Sequence, residues 1–222
     1  MPKPTLIYFK GRGRAEAIRL LLAEAGVDYD EHHVGRGTPP AGGRPTDIAE
    51  LKAAGVLPFG AVPVWEEPDG FRLSQSAAIL NHLARRHGLR GASPVEEARY
   101  DELLGAVDDV RAELRKIQVA AAAERPAVRA ELLATTLPRW LGDLERLLKP
   151  RLEATGFAVG AKITAADLAL YYLLELLQDN ELAAPLSACP ALSAFARRIA
   201  ERPRIAAYRA SPRRHPFTPF PR

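Results

Sequence analysis

The pattern of apolar residues changes from strand-like to helix-like within the first part of the chain. Thr5–Phe9 consists mostly of β-branched and aromatic residues, a composition that predicts a β-strand. The apolar residues that follow recur at helical spacing, at Ala15, Ile18, Leu21 and Leu22. This spacing predicts an amphipathic helix directly after the strand. Tyr8 is therefore expected near the end of a strand.

The pattern up to about residue 87 predicts a small α/β unit in the order strand, helix, strand, loop, strand, strand, helix. Glycine and proline crowd the loop at 35–45, so we expect irregular and mobile structure there. Residues 62–66 and 71–74 flank Pro68-Asp69-Gly70, which predicts a hairpin. A helix at 77–86 would complete the unit.

A second unit is predicted after the glycine-containing break at 88–94. Two apolar stripes follow at helical spacing: Leu103, Val107, Val110, Leu114 and Ile117, then Val128, Leu132, Leu133, Trp140, Leu144 and Leu148. Residues 167–182 are apolar on nearly all sides, which predicts a buried central helix. We therefore expect an α/β domain at 1–87, a linker at 88–94 and an all-α helical bundle at 95–222.

Length and composition indicate a globular protein. The chain has 222 residues, of which 47% are hydrophobic, enough for a sizeable core. No long apolar run and no signal-like start occur, so we expect a cytoplasmic protein without a membrane partner. The net charge of +4 comes from arginines interspersed with carboxylates. This distribution favours acidic ligands mildly and does not predict nucleic-acid binding.

Cysteine and histidine usage argues against disulfide or metal chemistry. The single Cys189 excludes internal disulfides and thiolate zinc clusters. His32 and His33 would point to opposite faces of a strand, and His82 and His87 are five residues apart on a predicted helix. Neither spacing suits a shared metal ion. No metal site is predicted.

Candidate chemistry begins at Tyr8, because a neutral phenol can donate a hydrogen bond to a bound anion such as a thiolate. Gly11 and Gly13 leave room for close approach, and Arg14 adds a permanent positive charge. Glu16 stands where a dinucleotide-binding loop would have its third glycine, which excludes that loop. An ordinary core tyrosine is the alternative for Tyr8.

Three further motifs have structural or binding interpretations. Val62-Pro63 opens the third strand, where proline is tolerated. Gln75-Ser76 precedes a helix, so Ser76 is expected to cap that helix and the pair could also receive a carboxylate. The segment from Thr164 to Asp167 has the form of a capping box, flanked by apolar residues that would form a hydrophobic staple. This last motif is interpreted as structural.

Taken in order, the motifs resemble the cytosolic glutathione transferases of the tyrosine type, nearest to the alpha, pi and sigma classes. The matching segments are Tyr8-Phe-Lys-Gly-Arg-Gly-Arg14, Leu51-Lys-Ala53, Phe59-Gly-Ala-Val-Pro63, Leu73-Ser-Gln-Ser-Ala-Ala-Ile-Leu80 and Ile163-Thr-Ala-Ala-Asp167. The resemblance implies a thioredoxin-like domain followed by an all-helical domain, a homodimer, and glutathione as co-substrate with no bound cofactor.

The resemblance also implies residue roles. Tyr8 would donate to the glutathione sulfur, and Arg14 would support the thiolate electrostatically. Binding of glutathione would involve Lys52, the cis-linked Val62-Pro63, Gln75, Ser76 and, across the dimer, Asp109. The electrophile would contact Phe9 and Gly13, and Phe217 and Phe220 are candidates by their position in the C-terminal tail. Phe59 would insert into an apolar pocket of the partner subunit.

Two departures from the family pattern concern glutathione binding. Ala61 stands where the alpha and pi classes have a glutamine, and Thr135 stands where alpha enzymes have an arginine from the partner subunit. Both departures predict fewer polar contacts to glutathione.

The resemblance implies a detoxifying transferase that conjugates glutathione to hydrophobic electrophiles. The alternatives are a non-catalytic carrier of hydrophobic ligands and a glutathione-dependent isomerase or peroxidase.

Overall fold

The computed structural model describes residues 2–35 and 45–221. The chain forms two compact units, the first made of residues 1–87 with 207–217 and the second of 88–206 with 218–222. Residues 36–44, which make up most of the loop expected to be mobile, lie outside the described residues.

The first unit is built on a mixed β-sheet. Its elements are β1 (Thr5–Phe9), α1 (Glu16–Ala25), β2 (Asp30–Val34), α2 (Ile48–Ala53), β3 (Val64–Glu66), β4 (Arg72–Ser74) and α3 (Ser76–Arg86). The strand order is β2-β1-β3-β4. Strand β1 is parallel to β2 and antiparallel to β3, and β4 is antiparallel to β3. The predicted first strand, its following helix and the hairpin are confirmed.

An apolar cluster holds α2 against this sheet. Its buried members come from β1, β2, α2, the loop after α2 and β3: Ile7, Val34, Leu51, Val56, Leu57 and Val64. At about 25 cal/mol for each Å² of apolar surface buried, such a cluster contributes to the stability of the unit. It also fixes the ends of β1 and β3 relative to each other.

Helix α2 corrects the prediction, which had only a loop between β2 and β3. The helix has six residues, fewer than two turns, so apolar periodicity has little room to show. The Asp47 carboxylate accepts hydrogen bonds from the backbone N–H groups of Ala49 (2.7 Å) and Glu50 (3.2 Å). An N-cap aspartate followed by a glutamate three residues later was the available signal.

The second unit is helical. Its elements are α4 (Pro94–Val119), α5 (Arg125–Glu131), α6 (Leu137–Ala154), α7 (Ala165–Asp179) and α8 (Pro190–Ala200), and α9 (Pro203–Ala210) follows. All five residues of the first predicted stripe, on α4, are buried. Every residue of α7 from Ala165 to Leu177 is buried, and α7 packs against α4 and α8. The predicted central helix is confirmed.

The predicted capping box starts α7. Asp167 is fully buried, and its carboxylate accepts from the Thr164 N–H (2.8 Å), the Thr164 hydroxyl (2.7 Å) and the Ala158 N–H (2.7 Å). Burial raises the pKa of Asp167, and these hydrogen bonds oppose that rise. The flanking Ile163 and Leu168 are buried as the staple requires.

The C-terminal segment 207–217 packs in the first unit, although the sequence analysis assigned it to the second domain. Tyr208 donates its hydroxyl to the buried carboxylate of Glu16, 3.2 Å from each oxygen. Arg213 donates to the backbone carbonyl of Tyr29 at 2.9 Å. Polar contacts of this kind leave no periodic trace in the sequence.

Across residues 2–35 and 45–221, none of the helices combines the length and apolar character needed to cross a bilayer.

Candidate active site

Tyr8 lies near the end of β1 with its hydroxyl held by the following loop. The side chain is buried, and its oxygen accepts a hydrogen bond of 2.8 Å from the backbone N–H of Arg14. A hydroxyl that accepts one hydrogen bond becomes a stronger donor in the next. The phenol hydrogen is therefore oriented to donate to an acceptor at this point.

Gly13 is required where the loop passes Tyr8. Its φ is +43°, a conformation that disfavours side chains. A Cβ at this position would overlap the Tyr8 hydroxyl oxygen and lie 3.2 Å from two ring carbons. The glycine thus lets the backbone approach the phenol closely enough for Arg14 to donate its N–H.

Arg19 fixes the same loop from α1 and was missed by the sequence analysis. It is fully buried, and its Nη1 donates to the carbonyl of Gly11 at 2.7 Å. Its Nε and Nη2 donate to the two carboxylate oxygens of Glu31, at 2.8 and 3.2 Å. The signal was an arginine between apolar neighbours on a helix, since such a residue is buried only when it is paired.

The strand register brings three predicted residues into one row. On β3, Val64 pairs with the residue before Tyr8 on β1 and with the residue before Gln75 on β4. One residue beyond these last paired positions stand Tyr8, Pro63 and Gln75, which we therefore treat as one row at this end of the sheet. Neighbouring strands are about 4.8 Å apart, so the row spans about 10 Å, close to the length of an extended tripeptide.

The Val62-Pro63 peptide bond is cis, as the resemblance implied. Pro63 is buried and Val62 is partly buried against the apolar cluster of the first unit. Ala61 is exposed directly before them. A longer polar side chain at position 61 would therefore be exposed to solvent next to the row of Tyr8, Pro63 and Gln75.

The start of α3 differs from the prediction at Ser76. Gln75, with a φ of +72°, occupies the N-cap position, and no side chain caps the helix. Ser76 is the first helical residue, so its predicted capping role is wrong. The first N–H groups of a helix have no partner within the helix, so the backbone of α3 still offers donors beside the row.

Lys52 is exposed on α2 and runs towards the segment before Val62. Carbon atoms of its side chain would lie 3.3 Å from a Cβ built on Gly60. The Lys52 ammonium therefore lies beside the loop that leads to Pro63.

The predicted electrophile contacts are found in different environments. Phe9 is 46% exposed at the end of β1. Phe217 is partly buried, with the Arg12 guanidinium 5.8 Å from its ring centroid. Phe220 is buried and its N–H donates to the side-chain oxygen of Asn180 at 2.8 Å. The first two therefore belong to the first unit, and the third belongs to the second unit.

Residues predicted to act across a dimer are exposed. Asp109 lies on the outer face of α4, and Phe59 is 73% exposed, unusual for a large aromatic side chain. Thr135 donates its hydroxyl to Glu131, at 3.0 Å to the backbone carbonyl and 2.6 Å to the carboxylate.

Cys189 is buried in the second unit, as predicted. Burial, together with the nearby Glu145 carboxylate, raises the pKa of the thiol. A protonated, buried thiol is a poor nucleophile, so Cys189 is not placed to act as a nucleophile.

The structure also assembles a group that sequence spacing could not show. Glu31 and His33 on β2 meet His215 from the C-terminal segment, with their ligand-type atoms all within 4.8 Å of one another. Local histidine spacing could not reveal this group, because His215 is 184 residues from Glu31.

Comparison with known proteins identifies the family. Residues 4–85 match the glutathione S-transferase N-terminal domain and residues 108–212 match the glutathione S-transferase C-terminal domain. The chain belongs to the cytosolic glutathione S-transferase family. Its fold is therefore the predicted thioredoxin-like domain with a helical C-terminal domain.

Relatives match over nearly the whole chain. Glutathione S-transferase P 1 of Bufo bufo is 38% identical over 95% of this chain and 93% of its own length. Glutathione S-transferase alpha-1 of Rattus norvegicus is 34% identical over 91% and 86%, respectively. The solved pi-class glutathione S-transferase of Onchocerca volvulus superposes with a TM-score of 0.79 at 28% identity, covering 93% of this chain and 91% of that one. The predicted proximity to the pi and alpha classes is confirmed.

Proposed function

We propose that this glutathione S-transferase binds glutathione along the row of Tyr8, Pro63 and Gln75 and joins its sulfur to hydrophobic electrophiles. Full-length relatives at 34–38% identity support the conjugating activity, and detoxification is typical of the family. The observation that carries the residue assignment is the Tyr8 hydroxyl, oriented by the Arg14 N–H at 2.8 Å at one end of a row of tripeptide length.

The chemistry at the sulfur requires a thiolate. A hydrogen bond from the Tyr8 hydroxyl favours the charged form of the bound thiol and lowers its pKa. Each unit of lowering corresponds to about 1.36 kcal/mol, so one or two units from about 8.5 make thiolate abundant at neutral pH. The sulfur lone pair then forms a C–S bond, while the leaving group departs with its bonding electrons or the opened bond takes a proton. The charge of Arg14 supports the thiolate.

The other parts of glutathione have donors within the first unit. The γ-glutamyl carboxylate would accept from the unpaired N–H groups at the start of α3, near Gln75 and Ser76. Val62 would pair its backbone with the cysteinyl residue. Lys52 would reach the glycyl carboxylate from beside the 60–63 loop. Asp109 of a second subunit would meet the γ-glutamyl ammonium, which makes assembly part of substrate binding.

The electrophile would lie against exposed apolar surface near Tyr8. Phe9 is the clearest contributor, because it is half exposed and its ring lies 5.4 Å from the Tyr8 ring. Gly13 leaves space on the loop, and Phe217, from the C-terminal segment packed in the same unit, completes the proposed contacts.

The deciding experiment replaces Tyr8 with phenylalanine, which keeps the ring and removes the donor. We expect turnover with an aryl halide to fall strongly when chemistry limits the rate, while glutathione affinity changes little. The thiolate absorbance that appears when glutathione binds should also decrease. Wild-type turnover in Tyr8→Phe would contradict the role of the phenol.

The same absorbance separates the enzyme from the carrier alternative. A carrier would bind hydrophobic compounds without generating thiolate from added glutathione. Turnover compared across aryl halides, epoxides, enals and hydroperoxides would separate conjugation from the isomerase and peroxidase alternatives.

A further inference from the structure

Two residues of the edge strand β2 and one residue of the C-terminal segment form a compact cluster outside the row that we assign to glutathione. Glu31 and His33 are two positions apart on the strand, so their side chains share a face of the sheet. The Nε2 of His215 lies 2.8 Å from Oε2 of Glu31, and the Nδ1 of His33 lies 3.7 Å from the same oxygen. The two imidazole rings meet edge to face, with centroids 4.9 Å apart.

We infer that Glu31, His33 and His215 form a binding site for a divalent transition-metal ion, with Zn²⁺ as the best match. Imidazole nitrogen and carboxylate oxygen bind Zn²⁺ at about 2.0–2.2 Å, with tetrahedral geometry. Ligand atoms of such a site are roughly 3.3 Å from one another, as these bond lengths require. The separations of 2.8 and 3.7 Å from Glu31 Oε2 bracket that value, and all three ligand-type atoms lie within 4.8 Å of one another, so side-chain rotations would bring them to the required spacing. A fourth position would be left for water.

The strongest indication is the unpaired nitrogen of His33. Its Nδ1 is buried and has no hydrogen-bond partner among the described residues, and a buried polar atom without a partner is costly. The His33 side chain as a whole is 37% exposed, which gives an ion a path from solvent.

Outer contacts hold the carboxylate in the orientation that such a site needs. Oε1 of Glu31 accepts from Arg19 Nε at 2.8 Å and from the Tyr29 hydroxyl at 3.2 Å. Oε2 is held less tightly by Arg19, at 3.2 Å, and faces both histidines. Hydrogen bonds to the non-ligating oxygen are the usual support for a carboxylate ligand.

The surrounding charges set the expected strength of binding. The guanidinium of Arg19 opposes a cation at Glu31, but the buried carboxylate of Glu16, 3.4 Å from Arg19, partly offsets it. We therefore expect the two imidazoles to supply much of the affinity, and binding weaker than in a structural zinc site with four protein ligands. The bound ion would link β2 to the C-terminal segment, taking the place of the hydrogen bond between Glu31 Oε2 and His215 Nε2.

The test uses the full chain without a histidine tag, treated with chelator and then freed of it. Zn²⁺ should raise the unfolding midpoint, by roughly 5–10 °C when free Zn²⁺ is about 100 times its Kd. Co²⁺ should give ligand-field absorbance with a stoichiometry of one ion per chain. Neither readout depends on transferase activity, so failure here would leave the proposed function intact.

Variants locate the site. His33→Ala and His215→Ala should each weaken Zn²⁺ binding at least tenfold and remove the midpoint shift. His32→Ala is the matched control, because His32 is on the same strand but faces the other side of the sheet and contacts the Pro45 carbonyl at 2.8 Å. It should keep the wild-type response.

Two results would overturn the site. One is a wild-type protein whose midpoint and Co²⁺ spectrum do not respond to metal. The other is a His33→Ala protein that binds Zn²⁺ as tightly as wild type. If His215→Ala folds poorly, His33→Ala decides alone, because His33 makes no hydrogen bond through its buried nitrogen that the substitution would remove.

Discussion

Replacing Gly13 with alanine should impair turnover and stability by separable amounts. A positive φ costs a residue with a Cβ about 1–2 kcal/mol, and Gly13 has a φ of +43°. The new methyl group would also overlap the Tyr8 hydroxyl oxygen, so either the phenol or the loop must move. Movement of either one breaks the hydrogen bond from the Arg14 N–H.

The effect on rate follows from the lost alignment. If the phenol lowers the pKa of the bound thiol by one to two units, losing that contribution costs about 1.4–2.7 kcal/mol. Turnover per folded molecule should then fall by roughly 10- to 100-fold. Measurements with an aryl halide at saturating glutathione, under conditions where chemistry is limiting, give this quantity. Denaturant unfolding of the same preparation gives the stability.

Gly55→Ala is the matched control for backbone strain. Gly55 has a φ of +67°, and a Cβ there would have no atom within 4 Å. This variant should lose about 1–2 kcal/mol of stability and keep wild-type turnover per folded molecule. Wild-type turnover in Gly13→Ala, or an equal loss of turnover in Gly55→Ala, would refute the argument that the glycine serves the phenol.

Three other predictions concern assembly, helix capping and pH. Phe59→Ser should weaken the proposed homodimer by about 2 kcal/mol or more, and sedimentation across protein concentrations would show equal association if the exposed aromatic plays no part. Thr164→Ala should lower the free energy of unfolding by about 0.5–2 kcal/mol; an unchanged denaturant midpoint would exclude the cap. Although burial opposes it, the hydrogen bond and charge of Arg19 lower the pKa of Glu31 below its usual 4.5. This carboxylate therefore stabilises the folded chain above pH 4.5, and its contribution is lost in more acidic solution. Glu31→Gln should reduce the acid-induced loss of stability when the free energy of unfolding is measured against pH.

Features set by local sequence could be predicted. The strand Thr5–Phe9 is confirmed because five consecutive residues carry the strand signal. The central helix α7 is confirmed because its apolar residues surround the helix and leave no continuous polar face. Its capping box is confirmed because the two partners are only three residues apart. In each case the information lies within one element.

Features set by tertiary contacts could not be predicted. Glu16 and Arg19 stand on a helix whose apolar residues indicated one buried face, yet both polar side chains are fully buried as well. They are buried because they are paired with each other and with distant groups, among them Tyr208 at a separation of 192 residues. The spacing of residues within a helix gives no information about a partner so distant in the chain. The same holds for His215, which lies beside β2.

The burial of Arg19 is better explained by geometry than by stability. Removing two charges from water offsets much of the Coulombic gain of a buried ion pair, so such pairs are weak evidence for stability. An apolar side chain in place of Arg19 could fill the space, but it could not donate to the Gly11 carbonyl at 2.7 Å. That hydrogen bond fixes the start of the loop that carries Gly13 and the Arg14 N–H. The ionic pair with Glu31 is therefore best understood as the support that keeps the guanidinium in place, so that the hydroxyl of Tyr8 stays aligned for its proposed contact with the sulfur.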